Sequence, residues 1–146
     1  MKNKQNKLAR KKIEYVYGLY SSGQFQLAVD NIKTLNKKYP NEPLLFNLIG
    51  ACYKELGKLP GAAKMFGVAV SLNPNYAEAH FNLGCIYQDL KQNENAIESY
   101  KNAVKIDRSY ADAYNNLGNI LREIGDHEAA IESLEWAVTC KYDFAE

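Results

Sequence analysis

The sequence predicts an all-α protein built as a solenoid of four helix-turn-helix repeats, and three observations carry that prediction. Gly50, Gly84 and Gly118 stand 34 residues apart, each directly after an aliphatic residue (Ile49, Leu83, Leu117). The same offset brings Ala28, Ala62, Ala96 and Ala130 into one column. Two phrases that break helices, Tyr39-Pro40-Asn41-Glu42-Pro43 and Asn73-Pro74-Asn75-Tyr76, recur at the ends of units. A period of this length holds two short helices and a turn. Such a unit is too small to bury its own apolar face and must stack on its neighbours. Function is therefore expected on a surface and not in a pocket.

Laid out at this period, the chain divides into a basic leader (1–8), four repeats (9–42, 43–76, 77–110 and 111–144) and the first two residues of a truncated fifth repeat (145–146). In the first helix of each unit, Ile49, Leu83 and Leu117 precede the glycines, Tyr53, Tyr87 and Leu121 follow three places after them, and Leu56, Leu90 and Ile124 six places after. That rhythm marks a buried helical face. Gly23, Gly57 and Gly125 stand where a left-handed residue ends the first helix, and Lys91 replaces the glycine once. The second helix alternates small and large columns. Ala28, Ala62, Ala96 and Ala130 are followed by Ile32, Phe66, Tyr100 and Leu134, then by Leu35, Ala69, Ala103 and Ala137. Small residues let helix axes approach while the bulky column fills the space between them. Tyr76, Tyr110 and Phe144 fall at the junctions, where their rings are expected to lock one unit onto the next. Arg108 and Tyr142 stand in the place of the prolines. Because Cys140 to Glu146 repeats the phrase that opens a unit, a further repeat is expected to begin there, without a polar capping helix, as in a fragment of a longer protein or a short array. The last helix is then expected to leave Leu134, Trp136, Ala137 and Val138 as an apolar edge able to form a homo-oligomer.

Composition excludes several classes. The chain has 146 residues, 47% hydrophobic and 24% charged, an ordinary balance for one soluble domain. No apolar run approaches a membrane span, and residues 1–12 lack the apolar core of a secretory signal, so the expected compartment is cytoplasmic. Six of the 18 basic residues fall in 1–12, leaving 12 against 17 acidic residues in the remainder. A basic arm can bind nucleic acid or an anionic membrane, but no aromatic residue is interleaved to stack on bases, and a solvated leader into the first helix is the preferred reading. Cys52, Cys85 and Cys140 have no zinc or redox spacing. Cys52 and Cys140 read as small buried hydrophobes. His80 lies in a packing column with Phe46 and Tyr114, and His127 opens a second helix; neither has a nucleophile or metal partner at useful spacing. No glycine-rich phosphate loop occurs. The chain is expected to be no enzyme and to need no cofactor and no metal.

The run Ala79-His80-Phe81-Asn82-Leu83-Gly84-Cys85-Ile86-Tyr87, followed by Ala96, Tyr100 and Ala103, resembles the tetratricopeptide repeat. The third and fourth units match closely, the second well, and the first is degenerate, with Val16 at the glycine and Leu35 at an alanine. The resemblance implies a right-handed superhelix of helix pairs whose first helices line a concave groove. It also implies a non-catalytic scaffold that binds a protein or peptide segment there. Arrays of this kind also precede glycosyl-, sulfo- or methyltransferase domains, so a substrate-recruiting region of a larger transferase is the alternative, with self-assembly beside it. The carboxylate clamp by which members of the family hold chaperone C-termini is not expected. Its places hold Ile13 and Tyr17, then Leu48, then Glu78 and Asn82, and in the later set Phe81 and Cys85, then Asn116, then Glu146.

On the groove side, the second unit offers Leu44, Asn47, Leu48, Ala51, Lys54 and Glu55; the third Glu78, Phe81, Asn82, Cys85, Gln88 and Asp89; the fourth Asp112, Asn115, Asn116, Asn119, Arg122 and Glu123. The candidate binding residues are Asn47, Lys54, Phe81, Asn82, Cys85, Gln88, Asn115, Asn116, Asn119 and Arg122. Asn82 and Asn116 hold the same place, and a carboxamide can pair with both the N–H and the carbonyl of an extended peptide. The pair resembles the asparagine ladder in the repeats of O-linked N-acetylglucosamine transferase, broken by Leu48 in the second unit. They read equally as exposed polar residues, and in either case their removal is expected to spare stability. Cys85, a turn away, is expected to be exposed enough to be modified.

Overall fold

A computed structural model describes residues 2–143, with side-chain surroundings from Ala9 onward. Among the described residues there are eight helices and no strand: α1 (Lys2–Ser21), α2 (Phe25–Lys38), α3 (Pro43–Glu55), α4 (Leu59–Leu72), α5 (Ala77–Asp89), α6 (Asn93–Ile106), α7 (Ala111–Glu123) and α8 (His127–Asp143). They form four antiparallel pairs stacked as a right-handed solenoid, each helix packing chiefly on its sequence neighbours. The basic stretch 2–8 lies within α1.

The turns inside pairs follow from backbone chemistry. After α3, the Gly57 N–H donates to the Lys54 carbonyl at 2.9 Å and the Lys58 N–H reaches back to Tyr53 at 2.8 Å, while Gly57 takes φ +72°. This closes the helix by the left-handed route that glycine permits without steric cost. Lys91 makes the same turn at φ +60°, with its Cβ crowding the backbone. Between pairs, Asn73 and Asp107 accept the backbone N–H two residues on, at 3.1 and 2.9 Å, and turn the chain into the next first helix.

The end of α8 differs from those of the other second helices. The helix continues past Tyr142, which stands in the place of a proline, and α8 runs 17 residues where α2, α4 and α6 each run 14. Lys141 stands at the place of Asn73 and Asp107; it has no side-chain acceptor for an Asx turn and no proline follows it. Phe144 and the two residues assigned to a fifth repeat lie outside the described residues.

The core bridges units. Phe66 and Ala62 of α4 cluster with Leu83 and Ile86 of α5; Tyr100 and Ala96 of α6 cluster with Leu117, Ile120 and Leu121 of α7 and Ala130 of α8. Within a pair, the bulky residue of the second helix lies against the glycine of the first. A Cβ built on Gly84 would meet the Tyr100 ring at 2.7 Å, and one on Gly50 the Phe66 ring at 2.7 Å. The degenerate first unit carries Val16 and Ile32 instead, both fully buried in one cluster, dividing the volume more evenly between the two helices. Cys52 and Cys140 are buried, and the Cys140 thiol donates to the Arg108 carbonyl at 3.3 Å, tying α8 to the α6–α7 turn.

Candidate peptide-binding groove

The α3, α5 and α7 helices line one side of the solenoid, and two hydrogen-bonded networks cross between them. In the first, Asn47 of α3 is only 3% exposed, so it is not the open groove residue its spacing suggests. Its Nδ2 donates to Glu78 Oε1 at 3.3 Å, and its Oδ1 accepts from Asn82 Nδ2 at 3.2 Å. A buried carboxamide needs such partners, and here both come from α5. In the second, the Tyr100 hydroxyl donates to Gln88 Oε1 at 2.8 Å and accepts from Asn116 Nδ2 at 3.4 Å. The Cys85 sulfur lies 3.5 Å from that hydroxyl and 3.7 Å from Asn116 Nδ2.

Each asparagine of the pair therefore directs its amide group at a neighbouring unit, Asn82 at Asn47 and Asn116 at Tyr100. The expectation that their removal spares stability is revised, because Asn82→Ala takes a partner from the buried Asn47. Cys85 is half-buried under Tyr100 and Asn116 and not freely exposed. Burial raises its thiol, partly countered by the adjacent Tyr100 hydroxyl and the charge of Lys54, so it stays protonated and a weak nucleophile at neutral pH.

The remaining candidates fall in two groups. Lys54, Asn115 and Arg122 are exposed, and Asn119 and Gln88 are half-buried. Phe81 is half-buried against two rings, with centroids 5.9 Å from Tyr100 and 4.9 Å from Tyr110. Exposed charge on this side is unbalanced: Glu55, Glu78, Asp89, Asp112 and Glu123 face only Lys54 and Arg122. Spacing did not pick out Tyr17, Tyr76 and Tyr110 as groove groups. Burial first, then the nearby Glu78 charge, raises all three phenols, Tyr76 up to about 12. The signal available in the sequence was tyrosine at 100 where Phe66 and Leu134 stand elsewhere, since a buried hydroxyl demands a partner.

A TPR repeat model matches residues 50–91 and 86–121, and a tetratricopeptide repeat model matches residues 111–139. The chain belongs to the tetratricopeptide repeat family. Solved structures agree on the fold of this TPR chain. A crystal structure of MamA superposes with a TM-score of 0.86 at 19% identity, covering 94% of this chain and 80% of that one. MamA 41-end from Desulfovibrio magneticus RS-1 gives 0.82 at 22%, covering 94% and 78%. The first TPR of Spaghetti (RPAP3), bound to the HSP90 peptide SRMEEVD, gives 0.75 at 23%, covering 80% and 92%. No curated protein sequence matches the chain. Among the described residues, no helix is long and apolar enough to cross a membrane, and no three His, Cys, Asp or Glu side chains gather as a metal site.

Proposed function

We propose that this TPR array is a non-catalytic scaffold that binds an extended protein segment along α3, α5 and α7. The observation that carries the reading is the pair of carboxamides, Asn82 and Asn116, one repeat apart, each oriented by a neighbouring unit. Asn82, with one amide hydrogen engaged, retains its carbonyl oxygen and a second amide hydrogen for a peptide backbone, and Asn116, whose amide also meets the Cys85 sulfur, retains its carbonyl oxygen. Orientation in advance lowers the ordering cost of binding. The carboxylate clamp has no place in this reading, because Glu78 occupies a site where that clamp needs lysine.

A partner retained from the native lysate and mapped to a short peptide provides the test. By calorimetry, Asn116→Ala should cost about 1–3 kcal/mol of binding. Asn82→Ala should weaken binding similarly and also lower folding stability by about 1–2 kcal/mol through Asn47. Unchanged affinity in both variants would move the binding site off this groove.

A second reading, association of two copies through α8, is favoured by one observation. Ile131, Val138 and Tyr142 are 59%, 55% and 78% exposed, beside a shallow groove of about 590 Å³ lined by Ile131, Leu134, Glu135, Val138 and Thr139. The expected edge is corrected at Ala137, which is buried; Trp136, stacked on Tyr114 at 6.1 Å, stays 48% exposed. Sedimentation should show association that rises with concentration and disappears in Ile131→Lys/Val138→Lys; a monomer at every concentration removes this reading.

A further inference from the structure

The groove holds one fixed carboxylate among aromatic side chains. Glu78, in the first turn of α5, is exposed, and among the described residues no lysine, arginine or histidine pairs with it. Its Oε1 accepts the Asn47 amide, which fixes the carboxylate against α3. Tyr76 caps the same helix two residues earlier, and Phe81, one turn later, carries the Tyr110 ring at 4.9 Å. Tyr17 of α1 is 44% exposed. The Glu78 charge reaches all three phenols, which like any tyrosine are neutral at physiological pH.

An ammonium or guanidinium group is attracted both to a carboxylate and to the faces of neutral aromatic rings. An anionic side chain meets repulsion from Glu78 and from the surplus of carboxylates along the groove. We infer that the groove selects a basic segment, seating a lysine or arginine side chain on Glu78 between Tyr17, Tyr76 and Tyr110. This rests on the groove reading above and gives its partner a chemistry. The backbone of the segment then runs past Asn82 toward Asn116.

The test uses the full chain and two labelled twelve-residue peptides of one alanine, serine and glycine background, one with alternating lysine and arginine and one with glutamate at those places. Fluorescence polarisation measures affinity, and amide chemical shifts locate the contact. The basic peptide should bind, more weakly as salt rises, and shift α3, α5 and the residues around Tyr76 and Tyr110. Glu78→Gln keeps the acceptor for Asn47 but removes the charge, and should weaken binding about tenfold. Tyr17→Ala should weaken it about threefold. Glu128→Gln, on α8, should change nothing. Binding of the basic peptide in the groove at equal strength to Glu78→Gln overturns the assignment, as does its failure to bind. Preference for the glutamate peptide in the same groove overturns the basic specificity but leaves the groove reading standing. Shifts confined to other surfaces overturn both.

Discussion

Helices α6 and α8 carry the same pattern in different surroundings. Ile97 of α6 is half-buried against the cluster that includes Leu117, Ile120 and Leu121 of α7, and Val104 is half-buried. Their counterparts one repeat on, Ile131 and Val138, are more than half exposed. The residues are nearly the same, and the neighbour differs. In a stacked array, burial is conferred by the next unit, so an apolar position is a core position only where that unit covers it.

Alkali should separate the covered junctions from the open end most strongly. Burial pushes the Cys52 thiol up to about 11 and Tyr76 up to about 12, and raises Tyr100 and Tyr110 as well. In the unfolded chain, cysteine ionises near about 8.5 and tyrosine near about 10. Below about pH 8 both states hold these protons and the contribution is intact. Between about pH 9 and 12 the unfolded chain holds fewer, so stability falls as pH rises. Thermal melts should therefore shift down steadily over that window; a midpoint constant to pH 11 would mean these junctions are not sealed.

Gly84→Val should come next, at about 3 kcal/mol, because the added Cβ meets the Tyr100 ring and overpacks the pair. Urea titration with an unchanged slope would measure it, and a loss below about 0.5 kcal/mol would show the ring free to move aside. The comparison itself is put to the test by Ile97→Lys and Ile131→Lys. Covered by α7, Ile97→Lys should cost about 2–3 kcal/mol, whereas Ile131→Lys should stay within about 0.5 kcal/mol in dilute solution. Equal costs would mean that α8 is covered too. The smallest effect has the opposite sign: Lys91→Gly should raise stability by about 1 kcal/mol by relieving a left-handed residue.

Most of the fold was legible because the constraints repeat. The glycine column could be read from spacing alone, and the bulky column opposite it says why glycine stands there. The site was less legible. Asn47, Phe81 and Asn115 share one column, yet the first is buried, the second packs on Tyr110, and the third is exposed. A period tells which way a helix face points, but the fate of a side chain depends on what the adjacent unit places against it. At the end of α8 the period gives no turn by Tyr142 for a related reason: after α4 and α6 the chain turns on Asn73 and Asp107, and Lys141, at the same place, has no side-chain acceptor for that turn.

The amide links Asn47–Glu78, Asn47–Asn82 and Asn116–Tyr100 all lie on the side lined by the first helices, and each joins one repeat to the next. They act as tethers on the inner edge of a bent rod, holding α3, α5 and α7 close while the second helices spread behind them. Cutting any one of them should loosen a single joint between two repeats while leaving the helix pairs on either side intact, so the array is articulated at its joints and stiff within its pairs.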